Sequence, residues 1–349
     1  MSWQTVLGHD DVVEQFRRRL AAGRVNGTFL FVGPAGIGKR MFAVKLAQAL
    51  LCQGGNNRSL DPCGNCEDCR LSAAGTHPDL LEVRKPPDKS ELPLRLLIGE
   101  GDNRMREGLC HDIGLKPFRG GRRIAIIDDA DDLNTEGANC LLKTLEEPPP
   151  RSVMILIGTS PDRQLPTIRS RAQLVRFQPL STEDAAAVIE RAGLADNSEA
   201  ARQLAIVSQG SLEAARRLAD PDFAAFREAW IGRLAEPWDA AATVQALIAF
   251  ADGAGKEPGA KRERLRWALG TAVEFYRAAL HASLGVNVGT GTDLASRAEG
   301  AGAATAVDAE SLTAVIERFL KAIEHVDRNV HPTTLAEALC DDVGRLLNG

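Results

Sequence analysis

Apolar positions in the first half of the chain fall into short unbroken runs separated by stretches of helical period. Thr28-Phe29-Leu30-Phe31-Val32, Arg123 to Asp128, Ser152 to Ile157 and the shorter Leu174-Val175-Arg176-Phe177 each read as a strand. Runs that are apolar at successive positions, rather than at alternate ones, belong to strands covered on both faces. The pattern therefore predicts a parallel α/β sheet with helices on each side over residues 1–178. After Pro179 the strand signal ends. Residues 181–219 read as short Ala- and Leu-rich helices, the first entered through Ser181-Thr182-Glu183-Asp184 in the pattern of a capping box. From about residue 221 the chain reads as helical to residue 349. Gly54 to Ser59 and Gly285 to Ala306 read as poorly ordered, the second linking two helices of the last domain.

Composition adds limits. The chain has 349 residues, 44% hydrophobic and 26% charged, an ordinary globular balance that suggests two or three domains. Aromatics make up 5%, so the cores are expected to be mostly Leu, Ile, Val and Ala. Forty-two basic against 47 acidic side chains leave a net charge of −5. A protein that grips duplex DNA alone usually carries a basic excess, so any DNA contact is expected to be shared with partners or confined to a patch. No apolar run reaches the ~20 residues that span a bilayer. Met1-Ser2-Trp3-Gln4 does not open a secretory signal, and the expectation is a cytoplasmic protein with no membrane partner.

Two motifs carry chemistry. Gly33-Pro34-Ala35-Gly36-Ile37-Gly38-Lys39-Arg40 follows a predicted strand and opens the helix Met41 to Leu51, matching G-x-x-x-x-G-K-[ST] up to its last position. Gly33, Gly36 and Gly38 let backbone N–H groups converge on phosphate oxygens, the helix N-terminus adds its dipole, and Lys39 would reach the terminal phosphates. The eighth position usually supplies the hydroxyl that binds Mg²⁺. Here it is Arg40, a fixed cation with no acceptor, which speaks against a metal–nucleotide complex at this loop. A nucleotide cradle and a vestigial loop both stay open. The run Ile124-Ala125-Ile126-Ile127-Asp128-Asp129 ends in two carboxylates: in phosphate-loop ATPases the first holds Mg²⁺ and the next, commonly Glu, polarises the attacking water. Asp129 is one methylene short for that task. Solvated or helix-capping carboxylates are the plain alternative.

Seven cysteines are present, and four of them, Cys52, Cys63, Cys66 and Cys69, lie within the segment 52–69. In a reducing compartment this spacing reads as a closed four-thiolate Zn²⁺ site, structural because no coordination position is left open. Cys110, Cys140 and Cys340 are scattered and read as small buried hydrophobes.

The stretch Gly137-Ala138-Asn139-Cys140-Leu141-Leu142-Lys143-Thr144-Leu145-Glu146-Glu147-Pro148-Pro149 resembles the N-A-L-L-K-T-L-E-E-P-P run of bacterial clamp-loader subunits. The phosphate loop, the four-cysteine insertion and Ile168-Arg169-Ser170-Arg171 follow the order seen in that family. The resemblance covers roughly residues 3–215. It implies an AAA+ phosphate-loop module with a zinc-binding insertion (1–178), a small helical lid (179–220) and an all-α collar domain (221–349). It also implies partners: the motor gamma/tau subunits, the clamp-opening delta subunit, the sliding clamp and primed DNA reached through the ring, in the replisome at the nucleoid. Ser170-Arg171-Ala172 resembles the family's S-R-C motif, whose Arg reaches the ATP site of the neighbouring subunit; a surface salt bridge is the alternative for Arg171. Thr159 falls at the polar sensor position, or is a strand-end hydroxyl satisfying backbone. Gly210-Ser211-Leu212-Glu213-Ala214 resembles G-S-L-R-D-A with Glu213 where the phosphate-sensing Arg would lie. Leu7-Gly8-His9 would pack near adenine. The departures at Arg40, Asp129 and Glu213 resemble the family's rigid, non-hydrolysing member. An active ATPase and a zinc-knuckle nucleic-acid binder are the competing readings, the latter opposed by the acidic balance and the single Tyr276.

Overall fold

The apolar runs become neighbours in one parallel sheet in the computed structural model, which describes residues 3, 6–54, 60–86, 89, 91–119, 121–286, 307–328 and 330–348. Most of the two segments read as poorly ordered, 55–59 and 287–306, lies outside the described residues. In chain order the elements are α1 (Asp10–Ala21), β1 (Gly27–Val32), α2 (Lys39–Leu51), α3 (Glu67–Ala73), β2 (Leu80–Val83), α4 (Leu94–Ile98), α5 (Leu109–Asp112), β3 (Arg123–Ile127), α6 (Thr135–Glu146), β4 (Ser152–Ile157), α7 (Pro166–Arg169) and β5 (Gln173–Arg176). The strand order is β2-β3-β4-β1-β5, every neighbouring pair parallel.

Side chains alternate across a strand, so a run that is apolar at every position feeds two layers at once. Phe29 and Phe31 join Ile124, Ile126, Val153 and Ile155 on one face, where Phe16 of α1 and Phe42 and Leu46 of α2 pack. Leu30 and Val32 join Ala125, Ile127, Met154 and Leu156 on the other, under Leu97 of α4 and Ala138 and Leu141 of α6. The expected aliphatic core describes only this second layer. The first is aromatic: the Phe42 ring lies 5.0 Å from Trp3, 5.9 Å from Phe16 and from Phe31, and 5.1 Å from Phe177.

Helices α8 (Thr182–Arg191), α9 (Ser198–Val207) and α10 (Leu212–Leu218) pack through Ala185, Ile189, Ala201, Ala205 and Ala215. Each is N-capped by a side-chain oxygen. Ser181 accepts from the Asp184 N–H at 3.1 Å, Asn197 from Ala200 at 2.8 Å and Ser211 from Ala214 at 3.2 Å.

The chain folds as two compact units, Met1–Ala219 and Asp220–Gly349. The second contains α11 (Pro221–Ala235), α12 (Ala240–Asp252), α13 (Pro258–Ser283), α14 (Ala309–Asp327) and α15 (Pro332–Asn348). Its core is pinned by Trp230 Nε1 donating to the Ala268 carbonyl at 3.0 Å and by Tyr276 stacked on Phe319 at 5.7 Å. Cys340 is buried there, and burial pushes its thiol up to about 12; Cys110, half-buried under the sheet, is pushed up to about 11 for the same reason. Both thiols are therefore poor nucleophiles. Among the described residues no helix is long and apolar enough to cross a membrane.

Because Phe42 is fully buried among four other aromatic rings, Phe42→Ala is expected to cost about 3–5 kcal/mol. Urea denaturation should show the transition of the first unit moved to lower denaturant; an unmoved transition would contradict this packing.

Candidate phosphate-loop site and four-cysteine centre

β1 ends at Val32, and the chain turns at Gly33 with φ +150°. A Cβ there would lie 2.4 Å from the Phe177 carbonyl oxygen, so only glycine fits. Gly38, in the left-handed region, N-caps α2. Lys39 is buried, and its Nζ donates to the carbonyls of Gly33 and Pro34, each at 2.6 Å. Burial lowers its pKa, opposed by the carboxylates of Asp131, Asp128 and Glu213. The ammonium expected to reach for a terminal phosphate is thus turned into its own loop.

The start of α10 lies on that loop. The Leu212 N–H donates to the Gly36 carbonyl at 3.0 Å and Ser211 Oγ to the Ala35 carbonyl at 2.9 Å. A Cβ on Gly36 (φ +73°) would meet the Glu213 Cβ and Ser211 Oγ at 2.5 Å. His9 Nε2 lies 2.7 Å from the Ile37 carbonyl, with its ring edge-on to Phe177.

Beside the loop, Arg40 spans two strands. Its Nη2 is 2.7 Å from Glu82 Oε2 on β2, and its Nε is 3.5 Å from Asp128 Oδ2 at the end of β3. The register sets this up: Val83 lies opposite Ile127, so Glu82 and Asp128 project from adjoining carboxyl ends. Arg84 Nε bridges Asp128 and Asp129 at 3.7 and 3.6 Å, and Lys85 pairs with Asp132 at 2.6 Å. Burial, then the neighbouring Asp128, raises the Asp129 pKa against the pull of Arg84 and Lys85. Asp129 itself has φ +57°, a strained conformation for a residue with a side chain.

Two residues of this site escape a reading of the sequence. Glu82 sits in a short strand whose Leu-Leu-Glu-Val pattern gives little strand signal. Asp131 follows two other acids and looks solvated, yet it accepts from the Thr159 N–H at 2.7 Å, Thr159 Oγ1 at 2.5 Å and Gln164 Nε2 at 2.5 Å. The Thr159 hydroxyl is therefore committed to Asp131.

Arg171 is elsewhere. Gln173 lies opposite Phe29 and Arg176 opposite Val32, which puts Arg171 beyond the amino end of β5, away from Gly33. It is exposed. Its Nη2 and Nε lie 2.6 and 2.9 Å from Glu146 Oε1, and its Nη1 donates to the Thr167 carbonyl at 3.1 Å.

The four cysteines converge. Their sulfurs all lie within 4.8 Å of one another, with Cys52–Cys63 at 3.6 Å, Cys52–Cys66 at 3.9 Å and Cys63–Cys69 at 4.0 Å. Zn–S bonds of ~2.3 Å in a tetrahedron require S–S edges of ~3.8 Å, so the donor set is compatible with a structural zinc. Backbone N–H groups of Asn65 and Cys66 pull the Cys63 thiol down to about 6, while burial pushes that of Cys69 up. Cys66 also N-caps α3, and the Cys69 carbonyl accepts from Gln48 Nε2 of α2 at 2.9 Å. Around the centre, Arg119 pairs with buried Asp68 at 2.6 Å, and His77 lies 3.2 Å from the same carboxylate. Fully buried Asp79 accepts from the N–H groups of Phe118 and Arg119 at 2.7 and 2.9 Å.

Residues 8–181 match the family model described as DNA polymerase III, delta subunit. Over that segment, just under half of the chain, it resembles that family. A DNA polymerase III subunit delta-prime from Pseudomonas aeruginosa is 38% identical over 193 residues, covering 54% of this chain and 55% of that protein. A DNA polymerase III subunit gamma/tau from Mycobacterium tuberculosis is 35% identical over 191 residues, covering 54% of this chain and 31% of its own length. The chain resembles the clamp-loader delta-prime subunit in this region, while spanning only about half the length of the first relative and about a third of the second. Among solved structures, a DNA polymerase III gamma subunit-related protein from Thermotoga maritima is 13% identical. The match covers 96% of this chain and 99% of that one at a TM-score of 0.43.

Purified without chelator, the chain is expected to hold about one equivalent of zinc, measurable by elemental analysis. Replacing any one of the four cysteines should release the metal and loosen the insertion while the sheet, with its own core, stays folded. Less than about a tenth of an equivalent, with all thiols titrating freely, would reject the site.

Proposed function

We propose that this chain is a clamp-loader subunit of DNA polymerase III that acts through assembly and does not turn over ATP at its own phosphate loop. In this reading residues 1–178 form the AAA+ module with a structural Zn²⁺ held by Cys52, Cys63, Cys66 and Cys69. Residues 179–220 form the lid and 221–349 the collar. The partners are the gamma/tau and delta subunits, the sliding clamp and, through the ring, primed DNA, in the cytoplasm at the replisome.

The observation that carries the reading is the Arg40 guanidinium between Glu82 and Asp128. Asp128 is the carboxylate that would hold Mg²⁺. A permanent cation already lies beside it, supplied by the residue that should have offered a hydroxyl. Two further features point the same way. Asp129, short for positioning water, faces Arg84. Glu213, beside Gly36 and acting on Lys39, places negative charge where a γ-phosphate would add more.

Arg171 is the residue proposed to act on a neighbour's nucleotide. Its place at the far end of β5 supports action in trans, because its own loop follows the opposite end of β1. It would leave Glu146 for the phosphates, where a planar, permanently charged fork spreads over several oxygens.

A second reading, an active motor subunit, is favoured by the 35% identity to a gamma/tau protein. Steady-state ATPase of the lone chain separates the two. No turnover above buffer is expected; turnover that disappears in Lys39→Ala would overturn the proposal. In a reconstituted ring, Arg171→Ala should leave gel-filtration assembly intact, since an exposed ion pair contributes ~0–1 kcal/mol. It should slow clamp- and DNA-stimulated hydrolysis. A trans-acting Arg can be worth ~10³–10⁵ at its own site, diluted in the whole ring by the sites that keep theirs. Unchanged rates in an assembled ring would leave Arg171 as a surface ion pair.

A further inference from the structure

Three residues in and at the end of α2 bear on the four-cysteine centre, and only one of them is a cysteine. Cys52 caps the helix, its N–H donating to the Gln48 carbonyl at 3.0 Å. Gln48 lies four residues before Cys52 and Lys45 three before Gln48, the spacing that puts residues on one helical face. α2 packs against α3, the helix that carries Cys69. Gln48 is buried there and uses both ends of its amide. Its Nε2 donates to the Cys69 carbonyl at 2.9 Å, and its Oε1 accepts from Lys45 Nζ at 3.1 Å. Contacts therefore run from the Lys45 ammonium through Gln48 to the backbone of a sulfur ligand.

Lys45 is half-buried. An ammonium is a compact, strongly hydrated charge, and drawing it out of water is costly without a counter-charge. The neutral amide of Gln48 supplies a hydrogen bond but no charge. Burial lowers the Lys45 pKa, and the negative charge of Cys69 opposes that. Four thiolates around one Zn²⁺ leave the centre with a net negative charge. Arg119, near the same insertion, is already engaged by Glu67 and Asp68 at 2.7 and 2.6 Å, so its charge is met by carboxylates. Lys45 is the cation whose charge is directed at sulfur.

We propose that Lys45, held in place by Gln48, is a positioning residue of the zinc centre that supplies positive charge to its thiolates. Lys45 has this role only if the four cysteines hold zinc, whatever the phosphate loop or a ring of subunits does. Competition of the full chain with a chromogenic chelator for zinc tests it, with the thermal melt and a cobalt-substituted spectrum as controls. Lys45→Gln, which removes the charge, should weaken zinc binding by about tenfold or more, the usual cost of losing a partner behind a metal ligand. Lys45→Arg, which keeps the charge, should restore binding close to that of the parent. Gln48→Met, which lets go of both Lys45 and the Cys69 carbonyl, should lose about as much as Lys45→Gln. Saturated with Co²⁺, Lys45→Gln should keep the absorption of a four-thiolate site, because a charge is lost and the ligands are not. A parent chain that takes up neither metal would sink the four-cysteine reading and the role of Lys45 with it. A parent that holds zinc, with Lys45→Gln or Gln48→Met holding it as tightly, would overturn the proposal alone. So would an altered cobalt spectrum in Lys45→Gln, or binding in Lys45→Arg as weak as in Lys45→Gln, either of which would make Lys45 a packing residue.

Discussion

Glu82 and Asp128 leave adjoining parallel strands at the same end, and the guanidinium of Arg40 lies between them at 2.7 and 3.5 Å. A parallel sheet creates this situation wherever two acids fall at neighbouring carboxyl ends: the charges repel unless a cation joins them. A metal ion or a guanidinium can serve. The guanidinium brings its charge permanently and in a fixed planar shape, and it cannot leave with a product. Half of the Arg40 side chain is exposed, so the arrangement adds little to folding stability. Its consequence is chemical. Asp128 is already paired, Lys39 is satisfied by the Gly33 and Pro34 carbonyls, and α10 is bonded to the Ala35 and Gly36 carbonyls. The loop keeps the shape of a phosphate cradle while its charged groups pair with one another.

The same logic of internal satisfaction holds around the cysteines. Asp79 lies in the connection before β2, bonded to the backbone of 118 and 119, while its own carbonyl accepts from the Ile124 N–H at 2.9 Å. Arg119 then reaches Asp68 and Glu67 of α3, the helix that carries Cys69. A chain of buried and half-buried polar contacts thus ties the sulfur centre to the edge of the sheet where Glu82 sits. A burial this polar is favourable only when its members are paired, which makes the insertion an extension of the sheet and not an appended loop.

Much of this was legible in the residue order. Three strands, β1, β3 and β4, appear as apolar runs because burial on both faces leaves no polar alternation to blur them, whereas the short run of β5 belongs to an edge strand buried only at Val175. The sulfur centre is legible because metal spacing is local. β2 was not, because an edge strand of four residues with Glu82 in the middle carries neither length nor pattern. Missing β2 also hides Glu82, whose role arises only from its pairing with β3. Asp131 is hidden for a similar reason: its partners Thr159 and Gln164 lie 28 and 33 residues on, joined to it only by the fold. The aromatic layer around Phe42 was obscured by a composition averaged over the whole chain.

The central claim is that Arg40 holds the position a magnesium ion would need. The affinity of the full chain for a non-hydrolysable ATP analogue, measured by equilibrium dialysis with magnesium and again with excess chelator, tests it most directly. The account predicts no magnesium-dependent gain, whether binding is weak or absent in both conditions. Tightening of about tenfold or more on adding magnesium would mean that Arg40 yields its place to the metal, and would contradict the account.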